Sequence, residues 1–374
     1  MECQPTFTFR ASDRKHNYGE IISALAKTFA DTWRMSKIGT VDLSDKNSES
    51  AIKSYLDGIE RLTVKDKLSI LIKDAPFSIP TAVLSHGGIT DFSPPLTSPP
   101  KVLFIKPSHP FVGSADGIIL TTPTQLGNEI TKLKDLDSMA YVIQPSLTPV
   151  TFAGSKWDCR HFAVIVYNRL GEIAFYPMKR AIARVTTKTW QEMEPQSQIT
   201  NISLQEKSSM YRVDEHMKEV HPSAMRALTN IAKECFNRIA PSLAPERGTP
   251  GYVIFGFDTI FSPIDGRVEV SPSSADIGPL IDSGKIAPFL IEVNAQPSMN
   301  LLANAEGSIC KEIWEDLLGK ILPWSLGSGA DAPLSSSAFP PIVIKAAISS
   351  NGWSLPKRPD WVRRYGKARY ATKI

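Results

Sequence analysis

The sequence predicts an α+β protein divided into several subdomains, and three observations carry that expectation. A chain of 374 residues exceeds what one hydrophobic core ordinarily organises, so two or three subdomains are expected. Apolar runs of strand length share the chain with stretches of helical periodicity. Prolines thicken from Pro76 through Pro100, with Pro94, Pro95, Pro99 and Pro100 in pairs. Such a stretch is loop or boundary chemistry, because proline removes a donor and restricts its predecessor. With 42% hydrophobic and 21% charged residues, the composition is that of an ordinary globular protein and argues against global disorder.

Taken in order, Phe7–Arg10 reads as a short strand. Tyr18–Trp33 reads as a helix, with Ile21, Leu25 and Phe29 in an apolar stripe. Leu62–Lys73 is a second, shorter helix carrying Leu68, Leu71 and Ile72. Strands are expected at Val102–Ile105, Gly117–Thr122, Met139–Gln144 and Ala163–Tyr167, with Glu172–Tyr176 returning as a hairpin partner. Pro222 and Ser223 open a long helix whose Met225, Leu228, Ala232, Cys235, Phe236 and Ile239 share a face. Proline suits that first turn, where a missing N–H costs nothing. Tyr252–Phe261 and Pro288–Val293 look like paired strands, and Cys310, Ile313, Trp314, Leu317 and Ile321 make a last amphipathic helix. The remainder, with Ser335–Ser337, Pro340 and Pro341, reads as irregular; there is no internal repeat and no heptad run.

Several function classes recede on composition. No apolar run is long enough to span a membrane, and the charged N-terminal stretch lacks the apolar core of a secretion signal. Cys3, Cys159, Cys235 and Cys310 have no CxxC spacing, which argues against a disulfide scaffold or structural zinc and for a reducing compartment. The net charge is +4, and from Lys357 to Ile374 seven Lys or Arg residues face one acid, Asp360. That tail is either a solvated end or an electrostatic handle for a polyanionic partner. A nucleic-acid partner is not expected, since one short basic patch with Trp361 and Tyr365 is common on globular proteins.

The strongest chemical signal lies in the two late strands. Asp258 stands among apolar and aromatic residues, and Glu292 and Asn294, two apart, point to one face of a strand. Burying such acids is costly unless they are paired, hydrogen-bonded or bound to metal. Hard oxygen donors suit Mg²⁺ held against nucleotide phosphates; satisfaction by a nearby Arg or by backbone is the other reading. A second signal is Lys106, which ends an apolar strand before a loop holding Gly113, Ser114 and Gly117. A lysine there reaches a phosphate while the loop folds its N–H groups over anionic oxygens, or it is a surface lysine at a strand end. The loop is not a P-loop and no dinucleotide fingerprint occurs. Third, Lys156, Asp158 and Arg160 alternate with Trp157, Cys159 and His161. A strand puts the three charges on one face, either as a salt-bridged surface or as a mixed-sign cluster over a phosphate. Arg184 adds a forked donor, Asn201 is an isolated polar residue suited to metal or triphosphate, and His161 is expected to pack or hydrogen-bond locally.

These segments, in this order, resemble the tubulin–tyrosine ligase family of the ATP-grasp superfamily. The family's Lys after an apolar strand and its Gly-Ile are matched by Lys106 and Gly117–Ile118. Its hinge Gln is matched by Gln144, and its Lys-Phe-Asp-x-Arg by Lys156, Trp157, Asp158, Cys159 and Arg160. Arg184 and Ile199, Thr200, Asn201 follow, and the closing motifs stand intact as Phe255–Asp258 and Ile291–Pro297. The opening segment, Thr6–Arg34, is similar to the family's first strand and helix, and the resemblance runs to about Pro323. Ala115 stands where the family has Gly, and Pro145 replaces a hinge lysine and removes an N–H.

The resemblance implies an ATP-grasp fold with an N-terminal domain over 1–75, a central domain over 76–146 and a C-terminal domain over 147–325. ATP would lie between the last two, and residues 326–374 would be an irregular basic extension. The implied reaction is amide formation through an acyl phosphate. Asp258, Glu292 and Asn294 would hold Mg²⁺, and Lys106 and Lys156 would neutralise phosphate. Arg184 would meet the γ-phosphate, and Gln144 and Leu147 would flank adenine. Gly113, Ser114, Gly117, Ile118 and Asn201 would complete the nucleotide site. Arg160 would orient the acceptor carboxylate, with Asp158 positioning Arg160 or the incoming amine. The implied acceptor is the acidic tail of tubulin and the implied amine tyrosine or glutamate, in the cytoplasm and on microtubules. A glutamylase, a ligase for another peptide or small carboxylate, and a non-catalytic nucleotide- or tubulin-binding relative remain open.

Overall fold

The computed structural model describes residues 56–86, 88–91, 100–108, 117–133, 136, 139–191, 193–200, 222–245, 248, 250–264, 268–270, 277–295, 297, 312, 313, 317, 342 and 343, together with four short strands nearer the N-terminus. The helix expected over Tyr18–Trp33, Gly113, Ser114, Asn201, most of the expected last helix and the basic tail lie outside the described residues. Two β-sheets with helices packed on them make a mixed α+β fold.

The four short strands are β1 (Thr6–Phe7), β2 (Phe9–Arg10), β3 (Arg34–Met35) and β4 (Thr40–Val41). Next come α1 (Glu60–Thr63) and α2 (Lys65–Leu71), which divide the helix expected over Leu62–Lys73. The break is at Val64, extended at φ −93° and ψ 123°, where the β-branched pair Thr63–Val64 weakens helical continuation. Leu68, Leu71 and Ile72 turn into the core as their spacing predicts.

The first sheet holds β5 (Ala82–Ser85), β6 (Gly88–Asp91), β7 (Leu103–Ser108), β8 (Ile119–Thr121) and β9 (Ala140–Pro145). Its order is β6–β5–β9–β7–β8, every pair antiparallel. Leu103 and Ile105 of β7 pack with Leu126 and Ile130 of α3 (Leu126–Lys132). Strand alternation therefore sends Phe104 and Lys106 to the opposite face.

The second sheet holds β10 (Thr151–Phe152), β11 (Ser155–Tyr167), β12 (Ile173–Thr189), β13 (Gly251–Pro263), β14 (Glu269–Val270), β15 (Ile286–Ala295) and β16 (Ile342–Val343). Across its middle the order is β15–β13–β11–β12–β16, with β10 and β14 beside the start of β11. Only β10 and β14 run parallel among these pairs. β16 comes from the stretch expected to be irregular. Three helices accompany this sheet: α4 (Pro195–Gln198), α5 (Pro222–Ile239) and α6 (Ile277–Asp282).

α5 decides which way β11 faces. Its Ala232, Cys235, Phe236 and Ile239 share a core with Ala163, Ile165 and Tyr167. Leu228 does the same for Trp157 and Cys159. Phe236 also stacks on Phe175, ring centroids 4.7 Å apart. Each large apolar side chain buried this way contributes about 1.5–3 kcal/mol, more than a typical exposed ion pair. Packing of the odd-numbered residues thus fixes Lys156, Asp158 and Arg160 on the other face. Among the described residues no helix is long and apolar enough to cross a membrane.

Candidate functional site

A cleft opens between the two sheets. The first sheet and the turn before β8 contribute Phe104, Lys106, Ile118, Gln144 and Pro145, and the connection to β10 contributes Leu147. Opposite them stand Lys156, Asp158, Arg184, Asp258 and Glu292 of the second sheet, with Gln198, Ile199 and Thr200 beyond β12. Counting its open mouth, the space is about 890 Å³. The connection between α2 and β5 also meets the second sheet, the Leu290 N–H donating to the Phe77 carbonyl at 2.9 Å.

Strand register dictates the charge pairing on the second sheet. Directly opposed residues are Asp158 and Arg184, Arg160 and Asp258, and Asp258 and Glu292. Facing residues have β-carbons about 4.5–5.5 Å apart, within side-chain reach. Arg160 accordingly donates to both Asp258 oxygens, each at 2.7 Å. Arg184 forks onto Asp158, with Nε–Oδ1 at 2.7 Å and a second bond to Oδ2, and also lies 3.1 Å from Asp258 Oδ2. The Thr200 hydroxyl adds a 2.6 Å bond to Asp158. Asp158 therefore positions Arg184, not its strand neighbour Arg160, because cross-strand partners are nearer than residues two apart along one strand.

Asp258 and Glu292 are bridged by Asn294, whose amide nitrogen lies 3.1 Å from an oxygen of each. Burial pushes the Asp258 carboxyl up, against the pull of Arg160 and Arg184. Burial would raise Glu292 as well, but Lys65, Asn294, Lys106 and Arg160 outweigh it and hold that carboxyl well below its usual range. Among the described residues no group of three or more His, Cys, Asp or Glu side chains is placed to hold a metal. Two of the three predicted metal donors are acids and the third is an amide, so this cluster falls outside that description. Both acids have cation partners, Arg160 on Asp258 and Lys65 on Glu292, which is the salt-bridged alternative the sequence leaves open.

Each wall carries a buried lysine, Lys106 on the first sheet and Lys156 on the second. Lys106 donates to Gln144 at 2.9 Å, and Gln144 is oriented by its own donation to Thr81 at 2.9 Å. Lys156 reaches Gln198 at 3.5 Å. Both ammonium groups lie over the Phe104 ring, 5.1 and 5.4 Å from its centroid, where the ring quadrupole attracts a cation. Burial lowers Lys106 to about 8, with Glu292 opposing and Lys65 reinforcing the shift. Burial, then the neighbouring Lys106 charge, lowers Lys156 to about 7 against the pull of Asp158. Two cations depressed in this way favour a buried anion beside them.

The predicted residues Lys106, Ile118, Gln144, Leu147, Lys156, Asp158, Arg184, Asp258 and Glu292 all line this cleft. Arg160 and Asn294 join it through Asp258. Gly117 turns at φ +78°, and a β-carbon there would lie 3.3 Å from Pro107. Buried His161 bonds the Met178 carbonyl at 2.6 Å; burial lowers it to about 4 against that bond, leaving a neutral packing residue as expected. Cys159 is buried, which pushes its thiol up and makes it a poor nucleophile. Lys65, Phe104 and Gln198 also line the cleft, and none of them stands out in the sequence. Lys65 could be confused with any lysine of an amphipathic helix, whereas Phe104 could have been found from its alternation with Ile105 ahead of Lys106.

No protein-family model matches the chain, and a search of the curated proteins finds no match.

Proposed function

We propose that the chain is an ATP-grasp ligase that joins a carboxylate to an amine, with ATP cleavage driving the reaction. One observation carries this reading. Two buried lysines and an arginine face a cleft between two sheets, and a pair of carboxylates bridged by an amide lies at the same cleft. Phe104, Ile118 and Ile199 supply an apolar surface for a base, and Gln144 and Leu147 line the same cleft. Lys106, Lys156 and Arg184 then neutralise phosphate charge in a low-dielectric site.

The donors also fit magnesium. Asp258, Glu292 and an Asn294 amide turned to present its oxygen form a hard, all-oxygen set, once Arg160 and Lys65 yield their carboxylates. Mg²⁺ held there would neutralise charge developing on the transferred phosphoryl group. The acceptor carboxylate attacks the γ-phosphorus, the bond to the β–γ bridging oxygen breaks, and ADP leaves. The amine then attacks the acyl carbon, expels phosphate and gives its proton to solvent. Arg160, freed from Asp258, is a forked donor suited to the acceptor carboxylate, while Asp158 keeps Arg184 aimed into the cleft.

A net charge of +4 complements an acidic acceptor, and the resemblance favours the tubulin tail with tyrosine as the amine. The test is incubation with MgATP, detyrosinated tubulin and single amino acids, followed by product mass. Tyrosine on the α-tubulin C-terminus is the expected product. Glutamate on an internal side chain would select a glutamylase, ATP cleavage stimulated only by another carboxylate would remove tubulin, and nucleotide binding without any turnover would reject the ligase reading.

A further inference from the structure

We propose that Thr81 is a positioning residue for the nucleotide site, acting through Gln144 on Lys106. This rests on the nucleotide-binding reading of the cleft. Gln144 and Lys106 line that cleft, whereas Thr81 is buried without lining it. Strand register brings the three together. β5 and β9 pair Ala82 with Ile143 and Val83 with Val142, and the same register carried one residue back sets Thr81 opposite Gln144. β9 and β7 pair Val142 with Lys106. Gln144 and Lys106 are therefore diagonal neighbours on one face, within reach of long side chains. A row of polar groups thus crosses the three strands, from Thr81 through Gln144 to Lys106.

Hydrogen counting gives this row a direction. The Thr81 hydroxyl donates to the Ile79 carbonyl at 2.7 Å, and a hydroxyl has one hydrogen to give. Toward Gln144 it can therefore only accept, and it takes an N–H of the amide at 2.9 Å. With its nitrogen committed to Thr81, the amide turns its oxygen to Lys106, which donates to it at 2.9 Å. Threonine suits this task, because the branch at its β-carbon restricts χ1. The acceptor that Lys106 meets is an uncharged amide, so the ammonium is placed without being neutralised and its charge stays available to an anion. Without the hydroxyl, the Gln144 nitrogen would be a buried donor lacking that acceptor, and the side chain would leave this orientation to recover one.

A double-mutant cycle read by calorimetry at one pH tests this. Thr81→Val replaces the hydroxyl with a methyl group of similar size. MgATP affinity falls about 3- to 10-fold, the scale of one neutral hydrogen bond. The same loss appears with magnesium tripolyphosphate, which has no base and reports the phosphate end alone. In a Lys106→Met background, Thr81→Val changes either affinity by less than about 2-fold, because the group it positions is gone. Thr81→Ser restores most of the affinity, and Thr81→Ala replaces the valine variant in the cycle should that one not fold. Full, additive losses in both backgrounds would make Thr81 a structural residue only, and wild-type affinity in Thr81→Val would overturn the assignment. A loss confined to MgATP would route the effect through the base and break the link to Lys106. Failure of the wild-type chain to bind either probe would instead overturn the nucleotide reading of the cleft, and the assignment with it.

Discussion

Binding an anion in this cleft should take up protons, and the two lysines set how many. In the empty protein Lys156 titrates near 7 and Lys106 near 8. At pH 8 the first is therefore about nine-tenths neutral and the second about half neutral. A phosphate beside both restores them to full charge, so binding at pH 8 takes up about 1.4 protons, against about 0.1 at pH 6. Because the ligand-bound state holds more protons, affinity falls as pH rises, by roughly 20-fold between pH 6 and pH 8. Lys156→Met should cut the uptake at pH 8 to about 0.5. Lys106→Met should leave somewhat less than about 0.9, because the Lys106 charge is one of the groups that depresses Lys156. Calorimetry of MgATP binding in HEPES, Tris and imidazole at one pH reads the proton count from the slope against buffer ionisation heat. Tight binding with no uptake at pH 8, or the same uptake in all three proteins, would refute the placement of these lysines against the ligand.

Glu292→Gln keeps side-chain size but removes charge, so turnover at saturating Mg²⁺ and ATP should fall roughly 100-fold or more with an unchanged circular dichroism spectrum. Wild-type turnover in that variant would remove Glu292 from the metal set. A β-carbon at Gly256 would sit 3.2 Å from both Cδ and Nε of Arg160 and from Pro297 Cβ; Gly256→Ala should therefore lower stability by about 1–3 kcal/mol in a urea titration. Ile239 is fully buried where α5 meets the sheet; Ile239→Ala should cost about 2–5 kcal/mol by the same method, and a loss under about 1 kcal/mol would contradict the packing described.

Much of the cleft was legible because strands obey a two-residue period. An isolated acid in the run Phe255–Phe261 and the pair Glu292 and Asn294 marked two strands with a polar purpose, and their antiparallel register brings Asp258 beside Glu292. The same period put Lys156, Asp158 and Arg160 on one face. Helix α5 was legible from one apolar stripe and a proline at its start, and both bounds follow from them. Partner choice was not legible. Whether Asp158 bonds Arg160 or Arg184 depends on how β11 aligns with β12, including the irregularities near Trp157 and Ala163. Lys65 was hidden for a related reason: α2 reads as an ordinary amphipathic helix, and only its docking beside Ser108 and Glu292 turns that lysine into the cleft. The long hairpin β11–β12 exceeds the expected strands because its first half alternates charged and apolar residues, while only Ala163–Tyr167 shows a continuous apolar run.

The central claim, activation of a carboxylate by phosphoryl transfer, has a direct isotopic readout. An acceptor tail peptide with its C-terminal carboxylate labelled in ¹⁸O is incubated with the purified chain, MgATP and tyrosine, and the phosphate released is weighed by mass spectrometry. Carboxylate attack on the γ-phosphorus moves one labelled oxygen into phosphate for each amide formed, and that is the predicted result. Amide formation with unlabelled phosphate would contradict the account, as would an absence of ADP release with every carboxylate acceptor offered.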